Sequence, residues 1–371
     1  FKTAIAMKYL IVQDWQSTHG NHAGMVHMCK LLKDKWPDEF EVLVKPSPKS
    51  SKPITGWWLK RKIMGKYRYY KGIYYKKHTC LNNYISLCQP MFTKLQKGDE
   101  VFLLEYLLPD EPQYGLAKYI RKNYPYVRIY ALSHLTKSYF EQSIIKKDPN
   151  IVYEWSKPID VMLTLGSSLT EYFIEKKVSK KKLSTGFHYV DSDYYNVSSK
   201  SLTIGERLTV ISMGMMQRDY SLLVDVVRKC NDVNWIICRG LKKVDDLFTG
   251  IPNVELKGFL PENELRSLMA KADLSLNIME DTVGSNVITT SMAMGLGLIV
   301  TDVGSIRDYC DESNAFFCKN ETKSIVDAIN YLSLHKHEVA AMKQNSLIHS
   351  NKLRIENIYK WFNELKTIGI N

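Results

Sequence analysis

Arg218 follows the apolar run LTVISMG at 208–214, and Arg239 and Lys242 follow the next one, NWIIC at 234–238. Cations at the tips of neighbouring buried strands can neutralise a diphosphate, the guanidinium through paired hydrogen bonds. Gly284, Ser285 and Asn286 stand before an apolar helical run that ends at Gly295, so free backbone N–H groups and two small polar side chains sit at a helix start. An anionic phosphate is favoured there by the helix dipole. THGNHAG at 18–24, with Gly20 and Gly24, also leads into a helical run and lets an oxygen-rich ligand approach the backbone. It is neither G-x-G-x-x-G nor a Walker loop, and tight-turn glycines without a ligand are the plain alternative. His134 comes directly after the apolar run VRIYAL, where a polar side chain ending a parallel strand faces a cleft and can offer a hydrogen bond or a proton.

The elements that must position these residues are legible as alternating runs. Lys8–Asp14, Phe40–Val44, Glu100–Tyr106, Val127–Leu132 and Val161–Leu165 read as strands, with helices over Met25–Lys35, Tyr114–Asn123, Leu135–Ile145 and Ser168–Lys176. Ser167 or Ser168 is expected to cap the last of these helices. Residues 45–97 are less regular. After the polar stretch 191–206 the alternation restarts, with strands at Leu208–Ser212, Trp235–Cys238, Val254–Lys257, Leu274–Ile278 and Leu298–Thr301. Helices are expected there over Leu222–Lys229, Glu262–Lys271, Val287–Met294 and Thr322–Leu334. The pattern predicts an α/β chain of two Rossmann-like domains with a ligand cleft between them, over residues 1–195 and 205–350. An amphipathic helix in 351–371 is expected to cross back to the first domain.

A chain of 371 residues with 45% hydrophobic and 24% charged residues suits two ordinary domains and excludes wholesale disorder. The seven cysteines are scattered, without C-x-x-C or zinc-site spacing, and read as reduced, partly buried thiols of a cytoplasmic protein. Asp191 and Asp193 form D-S-D but fall in the interdomain stretch, so no metal ligand is assigned and a divalent metal is expected to be dispensable. The opening residues lack a secretory apolar run, and a membrane-spanning helix is not expected.

Charge is uneven: residues 1–200 carry 32 basic and 18 acidic side chains, residues 201–371 carry 19 and 21. The first half is therefore expected to face something anionic. Residues 56–78 hold two Trp, five Tyr and eight Lys or Arg with no acid, a composition that suits an anionic membrane surface, on the inner face of a plasma membrane for a cytoplasmic protein. Aromatics beside cations also suit single-stranded nucleic acid, but no nucleic-acid-binding module spacing accompanies them.

The second half resembles the donor-binding part of the retaining glycosyltransferase family 4, which has the GT-B fold. TSMAMG at 290–295 is similar to the family's E-A-M-A-x-G, VISMG at 210–214 to its strand and glycine (Gly214), and VELKGFLPENELRSLMAKADLSLN at 254–277, with Gly258, to its strand, glycine, helix and strand. Arg218 matches the family's Lys of a K-G pair. In the first half HGNHAG resembles the acceptor-side glycine loop, His134 the histidine that contacts the transferred sugar, and STGFHYVDSDYY at 184–195 the N-G-V-D segment. The resemblance implies transfer of a sugar from a nucleotide-diphosphate sugar to a glycan or lipid-linked acceptor, with retention of configuration and no further cofactor. Both family glutamates fall on threonines, Thr282 and Thr290, and the Arg after the strand glycine falls on Met215; Glu280 or Asp281 stands near enough to replace the first glutamate. These departures leave open a sugar-nucleotide epimerase or phosphorylase of the same fold, and an inactive binding or scaffold subunit.

Overall fold

The computed structural model describes residues 6–15, 21–46, 57–74, 80–109, 111–143, 150–197, 203–214 and 218–368. Gly20, Met215 and part of the basic aromatic segment therefore lie outside the described residues.

Two six-stranded, all-parallel sheets carry the fold. The first contains β1 (Lys8–Gln13), β2 (Phe40–Lys45), β3 (Glu100–Leu103), β4 (Arg128–Ser133), β5 (Val161–Thr164) and β6 (Leu183–Thr185), in the order β2-β1-β3-β4-β5-β6. The second contains β7 (Thr209–Met213), β8 (Asn234–Cys238), β9 (Val254–Lys257), β10 (Leu274–Asn277), β11 (Gly297–Thr301) and β12 (Ala315–Cys318), in the order β12-β11-β10-β7-β8-β9. Strand residues alternate between two cores because side chains alternate across a strand. Tyr9 and Ile11 enter one core of the first sheet while Leu10 and Val12 enter the other. Trp235 and Ile237 do the same against Ile236 and Cys238 in the second. Burial on both faces explains why these strands read as continuous apolar runs. In each sheet the strand order reverses once, between β1 and β3 and between β7 and β10, and a crevice opens there at the carboxyl ends.

The helix Ile355–Glu364 returns to the first sheet, where Ile355, Ile358 and Phe362 pack with Leu10, Val12 and Phe102. Trp361 Nε1 donates to Ser184 Oγ at 2.9 Å, and the Arg128 guanidinium donates to the Lys366 carbonyl at 2.7 Å.

Several elements differ from the sequence expectation. The less regular region contains two helices, Trp58–Tyr74 and Cys80–Phe92. The helix Ser167–Glu175 is not capped by its own serines: Gly166 is its N-cap residue, and Asp308 of the second domain accepts from Ser167 N–H at 2.6 Å and Ser167 Oγ at 2.8 Å. A helix start in one domain is thus satisfied by a carboxylate from the other. Strand β12 and the helix Lys336–Ser350 were not foreseen. All seven cysteines are free and buried, and burial pushes the Cys88, Cys238 and Cys310 thiols up to about 12.

Candidate active site

At the β7/β10 crevice the chain leaves β7 through Gly214, whose φ of +96° is left-handed and costs a glycine nothing. Arg218 then crosses back to form an isolated antiparallel bridge with Met279, just past the end of β10. Its Nε donates to the Met213 carbonyl at 3.2 Å, and a Cβ on Gly214 would stand 3.2 Å from its guanidinium. Among the described residues Arg218 forms no ion pair. Burial pushes its value down to about 10, so it remains a cation at neutral pH. A shielded guanidinium without a carboxylate is an unfavourable arrangement for a protein on its own. It is favourable where an anion binds.

The other two expected cations are placed differently. Arg239 directly follows β8 but its guanidinium meets Asp245 at 2.9 Å and the Lys242 carbonyl at 2.7 Å, so its charge closes its own loop. Gly258 packs beside that guanidinium, 3.7 Å from where its Cβ would be. Lys242 contributes a backbone carbonyl and its side chain is exposed.

The helix Asn286–Ala293 begins beside this crevice, for Val287 lies 3.4 Å from the Gly214 Cβ position. Ser285 caps the helix, its Oγ accepting from Val287 N–H at 3.2 Å. Asn286 Oδ1 is shielded and has no hydrogen-bond partner among the described residues. Gly284, at φ +102°, has no room for a Cβ because the Tyr309 hydroxyl occupies that place; that hydroxyl donates to the Leu165 carbonyl and accepts from His188 N–H at 2.9 Å. The turn before the helix is thereby fixed against the first domain.

Facing it is a cavity of about 480 Å³ lined by Gly24, Glu105, His134, His188 and Tyr189 of the first domain and by Asn286 of the second. Gly24 is the N-cap residue of the helix Met25–Lys35, no side chain caps that helix among the described residues, and its first residues line the cavity. His134 lies 3.3 Å from Glu105, which is buried past the end of β3. Burial alone would lower His134, but the Glu105 hydrogen bond and charge outweigh it and raise the imidazole above its ordinary value. The neighbouring His188 is pushed down to about 3 by burial and by His134, and stays neutral. The two imidazoles on one wall are thus driven apart, His134 toward its charged form and His188 toward its neutral one.

The threonines at the two glutamate positions are both buried. Thr282 Oγ1 accepts from Gly284 N–H at 3.1 Å, and Thr290 Oγ1 donates back to the Asn286 carbonyl at 2.6 Å. Asp281 is engaged by Ser138 N–H at 3.0 Å, while Glu280 is exposed. Sequence reading missed Glu105, and it missed a cluster at the domain junction: His22 Nδ1 and His27 Nε2 lie 2.7 and 2.8 Å from Asp191 Oδ2. No local motif announces either, because the partners are 29 to 169 residues apart.

Two Rossmann-like domains facing across such a cleft define the GT-B fold. The family model described as glycosyl transferases group 1 matches residues 207–335. Among solved structures, HepE of Anabaena in complex with UDP superposes with a TM-score of 0.69 at 14% identity, over 97% of this chain and 100% of that one. Sucrose-phosphate synthase from Thermosynechococcus elongatus does so with a TM-score of 0.71 at 11% identity, over 97% and 98%. TarM of S. aureus gives 0.60 at 17% identity, over 75% and 57%. No curated protein sequence matches the chain.

Proposed function

We propose that this chain transfers a sugar from a nucleotide-diphosphate donor to a glycan or lipid-linked acceptor, with retention of configuration. The observation that carries this reading is Arg218, a shielded cation without a counter-charge among the described residues, at the crevice where strand order reverses in the domain that matches the group 1 model. A diphosphate is its natural counter-ion, with the helix start at Ser285 and Asn286 as the second holder. That a UDP complex is known for HepE, a protein of the same fold, supports the choice of donor class.

In the proposed reaction the bond from the anomeric carbon to the β-phosphate oxygen breaks as an acceptor hydroxyl approaches the same face. The new bond forms to the acceptor oxygen, and its proton passes to the departing phosphate oxygen. Arg218 and the amides at 285–286 stabilise the charge that develops on the diphosphate, and His134, held by Glu105, orients the sugar. No step calls for a divalent metal at the diphosphate.

A binding or scaffold subunit is the second reading, favoured by Thr290, whose hydroxyl is spent on its own helix where the resembled family has a glutamate. A thermal-shift panel of nucleotide sugars, followed by product analysis with and without acceptor, decides between them. The transferase reading expects a stabilising nucleotide sugar that is turned over. Binding without turnover selects the scaffold, product formed without acceptor selects an epimerase, and no binding removes both nucleotide-sugar readings.

We further propose that the helix Trp58–Tyr74 docks on anionic membrane. Ile63, Tyr67 and Tyr70 follow i, i+4, i+7 spacing and are 58%, 57% and 66% exposed, and Trp57 and Trp58 are each 63% exposed, among basic neighbours. Among the described residues no helix is long and apolar enough to cross a membrane.

A further inference from the structure

His22 lies in the loop before the helix Met25–Lys35, and His27 on its first turn, so a short loop aims both imidazoles at one point. Asp191 reaches that point from the segment joining the domains, and its Oδ2 is 2.7 Å from His22 Nδ1 and 2.8 Å from His27 Nε2. The three ligand atoms lie within 4.8 Å of one another, the one such group among the described residues. Two imidazoles and a carboxylate are a donor set for zinc-class ions, whereas magnesium and calcium prefer oxygen alone.

The surroundings are those of a held ligand set. Asp191 Oδ1 accepts from the N–H groups of Asp193 and Tyr194 at 3.2 Å each, which orients the carboxylate. The His22 ring stacks on Tyr194 with centroids 3.6 Å apart, and the Arg266 guanidinium covers Tyr194 at 4.3 Å. The His22 and His27 side chains are 31% and 25% exposed and both line the 480 Å³ cavity, which supplies an entry path and an open coordination position. Metal–ligand bonds of about 2.0–2.2 Å separate tetrahedral ligand atoms by roughly 3.3 Å, so each histidine–aspartate pair needs to open by only about half an ångström.

We propose that His22, His27 and Asp191 bind one divalent transition metal ion of the zinc class at the domain junction. The ion ties the acceptor-side loop to the interdomain segment. The same loop's His22 and Ala23 amides are held by Glu262 of the second domain, at 2.7 and 3.3 Å, so occupancy bears on how the domains are joined. The proposal does not rest on the reaction proposed above and is tested without an activity assay.

The test uses the full chain, freed of any affinity tag and stripped with a chelator. Zinc is titrated calorimetrically and cobalt(II) by its visible absorption, in the wild type and in His22→Gln, His27→Gln and Asp191→Asn. One equivalent per chain is expected, with cobalt bands of a nitrogen and oxygen site, and at least about ten-fold weaker binding in each variant. Absence of binding, unchanged affinity in the variants, or a thiolate-to-cobalt charge-transfer band overturns the proposal. Circular dichroism checks the variants' fold. Histidine labelling by diethyl pyrocarbonate in the wild type reads the site without any substitution: zinc must slow labelling of His22 and His27 selectively among the nine histidines, and equal labelling with and without zinc overturns it.

Discussion

Under the proposed function Arg218 is a side chain costly to the fold and indispensable to its ligand. With no carboxylate beside it among the described residues, its guanidinium adds little to stability, so Arg218→Ala should leave thermal unfolding unchanged or slightly raised. The same substitution should lower sugar transfer by about 10²–10³-fold or more, as loss of one charge-stabilising donor does; full rates in a steady-state assay would remove it from the site. His134 carries a pH signature. Its value is raised in the folded state, so the pair with Glu105 contributes stability that is complete below the ordinary histidine value of about 6.5 and is lost as pH rises through the raised value. Glu105→Gln should bring the His134 titration down in an NMR experiment, and its stability deficit against the wild type should shrink on going from about pH 5 to pH 8. His134 and Arg218 were legible because each follows an apolar strand, where polarity must face a crevice. Glu105 was hidden inside a run read as strand, and Asp191 in a stretch read as linker, because their partners are joined only by folding.

Whole elements were legible where one periodicity dominated. Met25–Lys35, Val254–Lys257 and Thr322–Leu334 coincide with the expected boundaries, since their caps or flanking turns interrupt a clear apolar pattern. The helix Lys336–Ser350 escaped because its buried positions are Val339, Met342, Lys343, Ser346 and Ser350, three of them polar. Its lysine is buried against Asp273 at 3.2 Å, and Asp273 also accepts from Thr209 N–H at 2.9 Å. Asp273→Ala leaves that ammonium in the core without its carboxylate and should cost about 3–5 kcal/mol in denaturant unfolding, while an exposed pair such as Lys360–Glu364 should be nearly silent. The helix Trp58–Tyr74 was read as irregular because its apolar spacing is diluted by cations. If it meets lipid, replacing Lys60, Arg61, Lys62 and Lys66 by Glu should abolish co-sedimentation with anionic vesicles, and wild-type protein should ignore zwitterionic ones.

At the scale of the molecule, the two-sheet architecture was foreseen, and the contacts that join the domains were not. Asp308 on Ser167, Tyr309 on Leu165 and His188, and Glu262 on the loop at His22 all link residues distant in sequence through polar groups. Each satisfies a backbone group that would otherwise face the cleft. The return of Ile355–Glu364 to the first sheet has a consequence during synthesis. The second domain is an insertion within the first, and its strands are complete once β12 has been made. The first domain must wait, with the face of Leu10, Val12 and Phe102 covered only in part by the helix Met25–Lys35, until Phe362 and Leu365 have left the ribosome. The half that begins earliest on the chain is the last to finish folding, and during that interval the open part of its sheet is the surface a chaperone would have to shield.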